Sequence, residues 1–184
     1  MNKKDIAKIL ITGPFNSGKT TLIHFISDEQ LTSNDVETTD ELAQYKSMTT
    51  VGLEFGVLHV DDELDVHLFG TPGQARFNFM WKTLSKGALG TVFLVDSSNQ
   101  KAIDEAKEMF QFYCDLSDMP IIICATKQDL PESKSMQHIA SELGVDIARI
   151  TSCNPSVKED SKKVIIALLE EIIAKETLLE ESIF

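Results

Sequence analysis

Three features of the chain predict an α/β fold, a largely parallel sheet wrapped by helices. Apolar runs alternate with segments of helical period along the whole sequence. Two of the runs, "TVFLVD" and "IIICAT", are short and continuously apolar, as strands covered on both faces must be. A third, "AKILITG", passes directly into a glycine-containing turn and a helix, "GKTTLIHFISD".

Taken in order, "AKILITG" is the first buried strand and "GKTTLIHFISD" the helix after it. A polar stretch, residues 29–47, then shows no periodicity, and a connection that long without structure suggests a functional loop. "VGLEFGVLHV" and "ELDVHLF" flank "DDE" as the arms of a hairpin. "QKAIDEAKEMFQFYC" is helical between the two continuous strands, and "ARITS" is a short last strand. The final helix is the clearest periodic element: Val164, Ile165, Leu168, Leu169, Ile172 and Ile173 recur at helical spacing, with Lys and Glu opposite. Repeats, low-complexity tracts and linkers are missing from the pattern.

The length of 184 residues suits one domain, residues 1–184, large enough to bury a core. A net charge of −12 argues against nucleic acid and against anionic membrane surfaces as partners. An anionic ligand can bind only where backbone N–H groups, a lysine or a metal reverses that field locally. Cys114, Cys124 and Cys153 lack metal-ligand spacing and read as free thiols in a reducing compartment. No run reaches the roughly 18 apolar residues of a spanning helix. The start "MNKKDIAK" lacks a signal-peptide core, Asn2 stands where myristoylation needs glycine, and "ESIF" offers no prenylatable Cys. The expectation is a cytoplasmic protein with no lipid anchor.

"GPFNSGKT", residues 13–20, fits G-x-x-x-x-G-K-[ST], which arises by chance in about one chain in a hundred of this length. A strand before it and a helix after it supply the right context. Its N–H groups, from Asn16, Ser17, Gly18, Lys19, Thr20 and Thr21, and the helix N-terminus form a nest for phosphate. Lys19 is placed for the terminal phosphates and the Thr20 hydroxyl for Mg²⁺. The bland alternative is a glycine turn with a solvated lysine.

The base is read at "ATKQDL", directly after the strand "IIIC". A K-x-D triplet alone usually marks a solvated turn, but at the carboxyl end of a central strand it can line a base pocket. Asp129 would accept from the guanine N1–H and 2-amino groups, neither of which adenine presents. Lys127 would pack its stem along the pocket. "TSC" could offer backbone N–H groups, from Ser152 and Cys153, to the guanine carbonyl.

Together these residues resemble a Ras/Arf-type small GTPase over about residues 8–175. Two further motifs join them. In "TTVGLEFG", Thr50 matches the switch-loop threonine that ligates Mg²⁺; in "TPGQARF", Gly73 and Gln74 match the second switch. The chain is similar to prokaryotic members, including MglA-like GTPases, whose second switch also reads P-G-Q and lacks the acid. The resemblance implies a three-layer P-loop GTPase fold: a mixed six-stranded sheet, parallel except for "VGLEFGVLHV", with helices on both faces. It implies GTP/GDP and Mg²⁺ as ligands and a GTP/GDP switch as activity, slow without an activating partner. Gln74 would orient the attacking water, the Gly73 N–H would contact the terminal phosphate, and Thr126, Lys127 and Asp129 would hold the base.

Three positions depart from the family. Gly70 stands where the D-x-x-G aspartate belongs, Thr126 replaces the usual asparagine, and Phe15 occupies a loop position that is often small. Asp65, five residues upstream of Gly70, is roughly 16 Å away along the strand and cannot substitute. Asp96 ends a neighbouring strand, where holding the "SSNQ" turn is its favoured role. Thr20, Thr50 and two phosphate oxygens would leave two Mg²⁺ positions for water. Losing an acid that acts through such a water should weaken the metal by about 10- to 100-fold without abolishing the site.

The chain has two arginines, Arg76 and Arg149. Arg76 is expected in a surface ion pair rather than at the phosphate. Two competing readings are a nucleotide-loaded binding module with little hydrolysis, which Gly70 and Phe15 favour, and a small P-loop kinase, which so few arginines disfavour. In "ARFNFMWKTL", helical geometry puts Phe77, Met80 and Trp81 on one face and Phe79 elsewhere. That places an apolar side chain near the surface. An activator or effector is therefore expected on the loop from Glu29 to Thr50 and on the segment from Gln74 to Leu84.

Overall fold

The computed structural model describes residues 4–30, 53–116 and 118–181. Strand β1 (Asp5–Thr12) leads to α1 (Lys19–Ile26) and a two-residue strand, β2 (Glu29–Gln30). The hairpin β3 (Glu54–His59) and β4 (Leu64–Gly70) precedes a 3₁₀ turn and α2 (Asn78–Ser85). Then come β5 (Gly90–Asp96), α3 (Gln100–Leu116), β6 (Ile121–Thr126), α4 (Met136–Leu143), β7 (Ile150–Ser152) and α5 (Lys158–Glu181).

The sheet runs in the order β2-β3-β4-β1-β5-β6-β7. Strands β4, β1, β5, β6 and β7 are parallel, and β3 is antiparallel to β4. The expected six strands are therefore present. A seventh, β2, adds to the edge because Glu29 and Gln30 pair with Val57 and Gly56. The rest of the polar stretch, and Thr50 after it, lie outside the described residues.

Residues along β1 alternate between two cores, which is why its sequence reads as one apolar run. Ile9 and Ile11 pack with Leu22, Leu94 and Leu168 on the side of α1 and α5. Leu10 packs with Trp81, Phe93, Ile103 and Tyr113 on the side of α2 and α3. All three β1 side chains are fully buried, each worth about 1.5–3 kcal/mol in removed apolar surface. The strand that carries the phosphate loop is thus clamped from both faces.

On α5, Val164, Ile165, Leu168 and Ile172 are buried as expected, but Ile173 is 62% exposed. At 100° per residue it lies about 180° around the helix from Val164, beyond the buried stripe. Among the described residues no helix is long and apolar enough to cross a membrane. The three cysteines are free, Cys114 exposed and the other two buried.

Candidate functional site

The carboxyl ends of the parallel strands share one edge of the sheet, and the motifs gather there. Beyond β1 the chain turns sharply at Gly13, where φ is 139° and a Cβ would lie 2.2 Å from the Leu94 carbonyl oxygen. Asn16 also has a left-handed backbone, φ 64°. These dihedrals curl the loop into a concave nest ahead of α1, whose first turn has no side-chain cap.

Lys19 folds back across this loop. Its ammonium donates to the carbonyls of Gly13 at 2.9 Å and Pro14 at 2.6 Å, and lies 3.4 Å from the Ser17 hydroxyl. Burial lowers its pKa to about 8, with the Glu54 carboxylate partly opposing that fall. An anion bound in the nest would restore the charge that burial disfavours.

Next to Lys19, the Thr20 hydroxyl donates to Glu54 Oε1. Glu54 opens β3 and sits directly across from Gly70, the last residue of β4. Sequence reasoning passed over Glu54; its signal lay in the hairpin register. Glycine at 70 is not required by its backbone, since its φ is not positive. What constrains it is space, because a Cβ there would meet Ile23 and Glu54. Among the described residues no three His, Cys, Asp or Glu side chains cluster as a metal cage. The donors present, one hydroxyl and one carboxylate beside a phosphate nest, are hard oxygens that fit Mg²⁺.

Phosphate loop, Glu54, Gly70, Gly73 and Gln74 line one cavity of about 370 Å³, within the range of small-molecule sites. Thr71 ties its rim to β1: its amide donates to Ile11 at 3.0 Å, and its hydroxyl is 2.7 Å from that of Thr12. The Trp81 indole N–H donates to the Pro72 carbonyl at 2.8 Å, anchoring the turn from below. Gly73 lies hard against the phosphate loop, where a Cβ would come 2.6 Å from the Phe15 nitrogen. Gln74 follows, exposed.

Met80 and Trp81 are buried, Phe77 is half-buried and Phe79 is 68% exposed, as the helical geometry requires. Among the described residues Arg76 has no ion-pair partner. Its guanidinium lies 4.8 Å from the centre of the Phe77 ring, a cation–π contact. Phe15 is also 68% exposed, over a mouth that Gln74 shares.

The neighbouring half of the edge belongs to β5, β6 and β7. Thr126, fully buried, has its hydroxyl 3.0 Å from the Ser17 carbonyl and 3.2 Å from that of Val95. The shorter side chain therefore still ties this loop to the phosphate loop. Lys127 has a left-handed backbone, φ 60°, uncommon for a residue with a side chain. Its ammonium pairs with Asp96 at 2.5 Å.

Asp96 also accepts from the Ser98 amide at 2.9 Å and hydroxyl at 2.6 Å, which is the turn-holding role expected of it. Burial alone would raise its pKa, but Lys127 and Ser98 outweigh that and hold it low. Committed in this way, Asp96 does not replace the acid missing at Gly70. Asp65 is equally remote from that role, paired with Lys4 and His59.

Asp129 is exposed, with no hydrogen bond or ion pair among the described residues. Ser152 ends β7 and is exposed. The Cys153 amide donates to Ala125 at 3.1 Å, so that N–H is not available to a base carbonyl. This corrects the donor role expected of Cys153. The physical reason is that β7 and β6 continue to pair one residue beyond the strand.

Comparison with known proteins gives a consistent result. The sequence model of the family described as "Arf: ADP-ribosylation factor family" matches residues 1–172. The chain is 30% identical over 142 residues to ADP-ribosylation factor-like protein 3 of Saccharomyces cerevisiae, covering 75% of this chain and 68% of the relative. It is 33% identical over 128 residues to an uncharacterized protein of Methanocaldococcus jannaschii, covering 70% and 74%. It is also 26% identical over 189 residues to a Ypt/Rab-type GTPase, Rab7, of Neurospora crassa, covering 97% and 85%.

Proposed function

The chain belongs to the ADP-ribosylation factor family of small GTPases, and on that premise we propose that it is a GTP/GDP switch that hydrolyses GTP to GDP and phosphate. The observation that carries the proposal is the single cavity formed by the phosphate loop with Lys19, the Thr20 hydroxyl and the turn from Gly70 to Gln74. Within one domain, residues 1–184, the loop amides from Asn16 to Thr21 and the Lys19 ammonium hold the phosphates. Thr20 and Thr50 are the protein ligands for Mg²⁺, which when bound supplies positive charge to the phosphate oxygens. Gln74 orients the attacking water, and the Gly73 N–H contacts the terminal phosphate.

Asp129 selects guanine, Lys127 packs beside it, and Ser152 lies at the rim of the base pocket. Thr126 holds that pocket to the phosphate loop. The P-G-Q turn without its acid, together with the Methanocaldococcus relative, supports placement in a prokaryotic branch near the MglA-like GTPases. The compartment proposed is the cytoplasm. An activator or effector would dock on the Glu29 to Thr50 loop and on residues 74–84. Supporting that surface, Phe79 is exposed and a cleft of about 620 Å³ is lined by Phe15, Gln74, Asn78, Trp81 and Phe112.

A second reading, a GTP-loaded binding module with little turnover, is favoured by one observation. Phe15 projects its bulk at the same mouth as Gln74, where an activator's arginine would have to enter. Single-turnover hydrolysis in excess Mg²⁺, on protein whose carried nucleotide has been identified, separates the two. Carried GDP with measurable phosphate release that Gln74→Ala abolishes supports the switch. Carried GTP without release supports the module, and a chain that binds neither nucleotide overturns both.

A further inference from the structure

We propose that Glu54 supplies, from the neighbouring strand, the carboxylate that Gly70 lacks at the Mg²⁺ site, an inference that rests on the guanine-nucleotide reading above. In the antiparallel hairpin Glu54 and Gly70 are direct partners, so their side-chain positions lie side by side on one face of the sheet. Glutamate also has one methylene more than the aspartate of the family pattern, which lets its carboxylate reach past its own backbone position.

The space confirms the exchange. A Cβ built on Gly70 would lie 3.0 Å from the Glu54 Cβ, 3.2 Å from its Oε2 and 2.9 Å from Ile23 Cδ1. The Glu54 side chain therefore fills the volume that a residue-70 side chain would otherwise enter. The two positions form one coupled substitution: glycine at 70 makes room, and glutamate at 54 uses it.

The carboxylate also has the right partner. Glu54 Oε1 accepts a hydrogen bond from the Thr20 hydroxyl, whose oxygen is assigned to Mg²⁺. Both groups line the cavity with Lys19. A residue that only braced Thr20 would need an acceptor and bulk, which glutamine supplies equally well. A residue serving the metal, directly or through a bound water, needs the negative charge. That difference makes Glu54→Gln the discriminating variant.

The test uses the full chain loaded with a fluorescent GDP. Its release rate is measured as free Mg²⁺ is raised from chelator conditions to millimolar. We expect Glu54→Gln to raise the half-saturating Mg²⁺ by about 10- to 100-fold, with release in chelator unchanged. Glu54→Ala should shift it similarly. Adding Gly70→Asp to Glu54→Ala should move the curve back toward the unmodified chain, since Ile23 Cδ1 is the end of a flexible side chain that can yield and the Cβ kept at position 54, at 3.0 Å, has to give by only a few tenths of an ångström. An unshifted curve for Glu54→Gln overturns the proposal, and so does faster release by the same factor at every Mg²⁺ level including chelator, which would mark Glu54 as a brace. An unmodified chain that binds no GDP fails at an earlier point, in the nucleotide reading itself.

Discussion

The Gly70 corner and the Thr126 corner of the site are both strand ends where the chain lacks the side chain its family resemblance calls for, and they make up for it differently. At Thr126 the substitute acts from the same position. A hydroxyl replaces an amide, and because the Ser17 carbonyl is only 3.0 Å away the shorter side chain still reaches it. At Gly70 no side chain exists, and the nearest carboxylate comes across the hairpin from Glu54. A lost hydrogen bond can be recovered locally when the partner is backbone that can move a few tenths of an ångström. A lost charge must come from another residue.

The largest effect should separate the two corners by ligand. Asp129 is exposed and free of other partners among the described residues, so its carboxylate is available to both guanine donors. Each such bond to a charged acceptor is worth about 1.5–3 kcal/mol. Asp129→Ala should therefore cut the preference for GDP over ADP by about a hundredfold or more in competition binding. Its Mg²⁺ requirement should stay that of the unmodified chain. A shift in that requirement would show that the corners are not independent.

Which parts of this arrangement could be read in the sequence follows from the range of the interactions involved. The phosphate loop, β1 and α5 are specified by contiguous pattern and were legible. Helix α4 was not assigned, although its caps are local: Ser135 accepts from the His138 amide, and Gly144 closes the helix at φ 68°. Its apolar face is short, with Ile139 and Ala140 the buried residues, so periodicity gave little signal. Glu54 was missed for another reason. Its role depends on pairing with a residue 16 positions later, and counting along one strand from Gly70 finds only Asp65. Reading the hairpin register across from Gly70 would have found it. The Cys153 amide was misread because strand pairing beyond Ser152 consumes it, which sequence does not mark.

A middle-sized effect sharpens the Thr126 side. Thr126→Val keeps the volume but leaves the buried Ser17 carbonyl without this donor. An unmade buried hydrogen bond costs about 1–3 kcal/mol, so thermal or denaturant unfolding of the nucleotide-free chain should show a loss in that range. GDP affinity should fall with it, by about three- to tenfold, because the phosphate loop loses its tie to β6. The Glu54 corner predicts the opposite profile, a changed Mg²⁺ requirement with little change in chelator. Were Thr126→Val to behave like Glu54→Gln in the Mg²⁺ titration, the division into a hydrogen-bond repair and a charge repair would collapse.

The smallest effect is a pH dependence that only the phosphate side should show. In the free chain burial lowers the Lys19 pKa to about 8, below its ordinary value near 10.5. Bound phosphate favours the charged form and raises it again, so binding takes up a proton wherever the free lysine is partly neutral. By linkage, GDP affinity must then fall as pH rises through about 8, by roughly threefold between pH 7.5 and 8.5 if the bound lysine stays charged throughout. Folding of the free chain carries the opposite sign. Between about pH 8 and 10.5 the unfolded lysine holds more proton than the folded one, so this group makes stability rise with pH in that window. Calorimetric titration of GDP at several pH values, in buffers of differing ionisation enthalpy, measures the proton uptake directly. Lys19 contacts the loop of Gly13 and Pro14 rather than the base corner, so Asp129→Ala should leave the uptake intact while lowering discrimination. No proton uptake even at pH 8.5 would mean that Lys19 is already fully charged in the free chain, and the pH difference between the two corners would vanish.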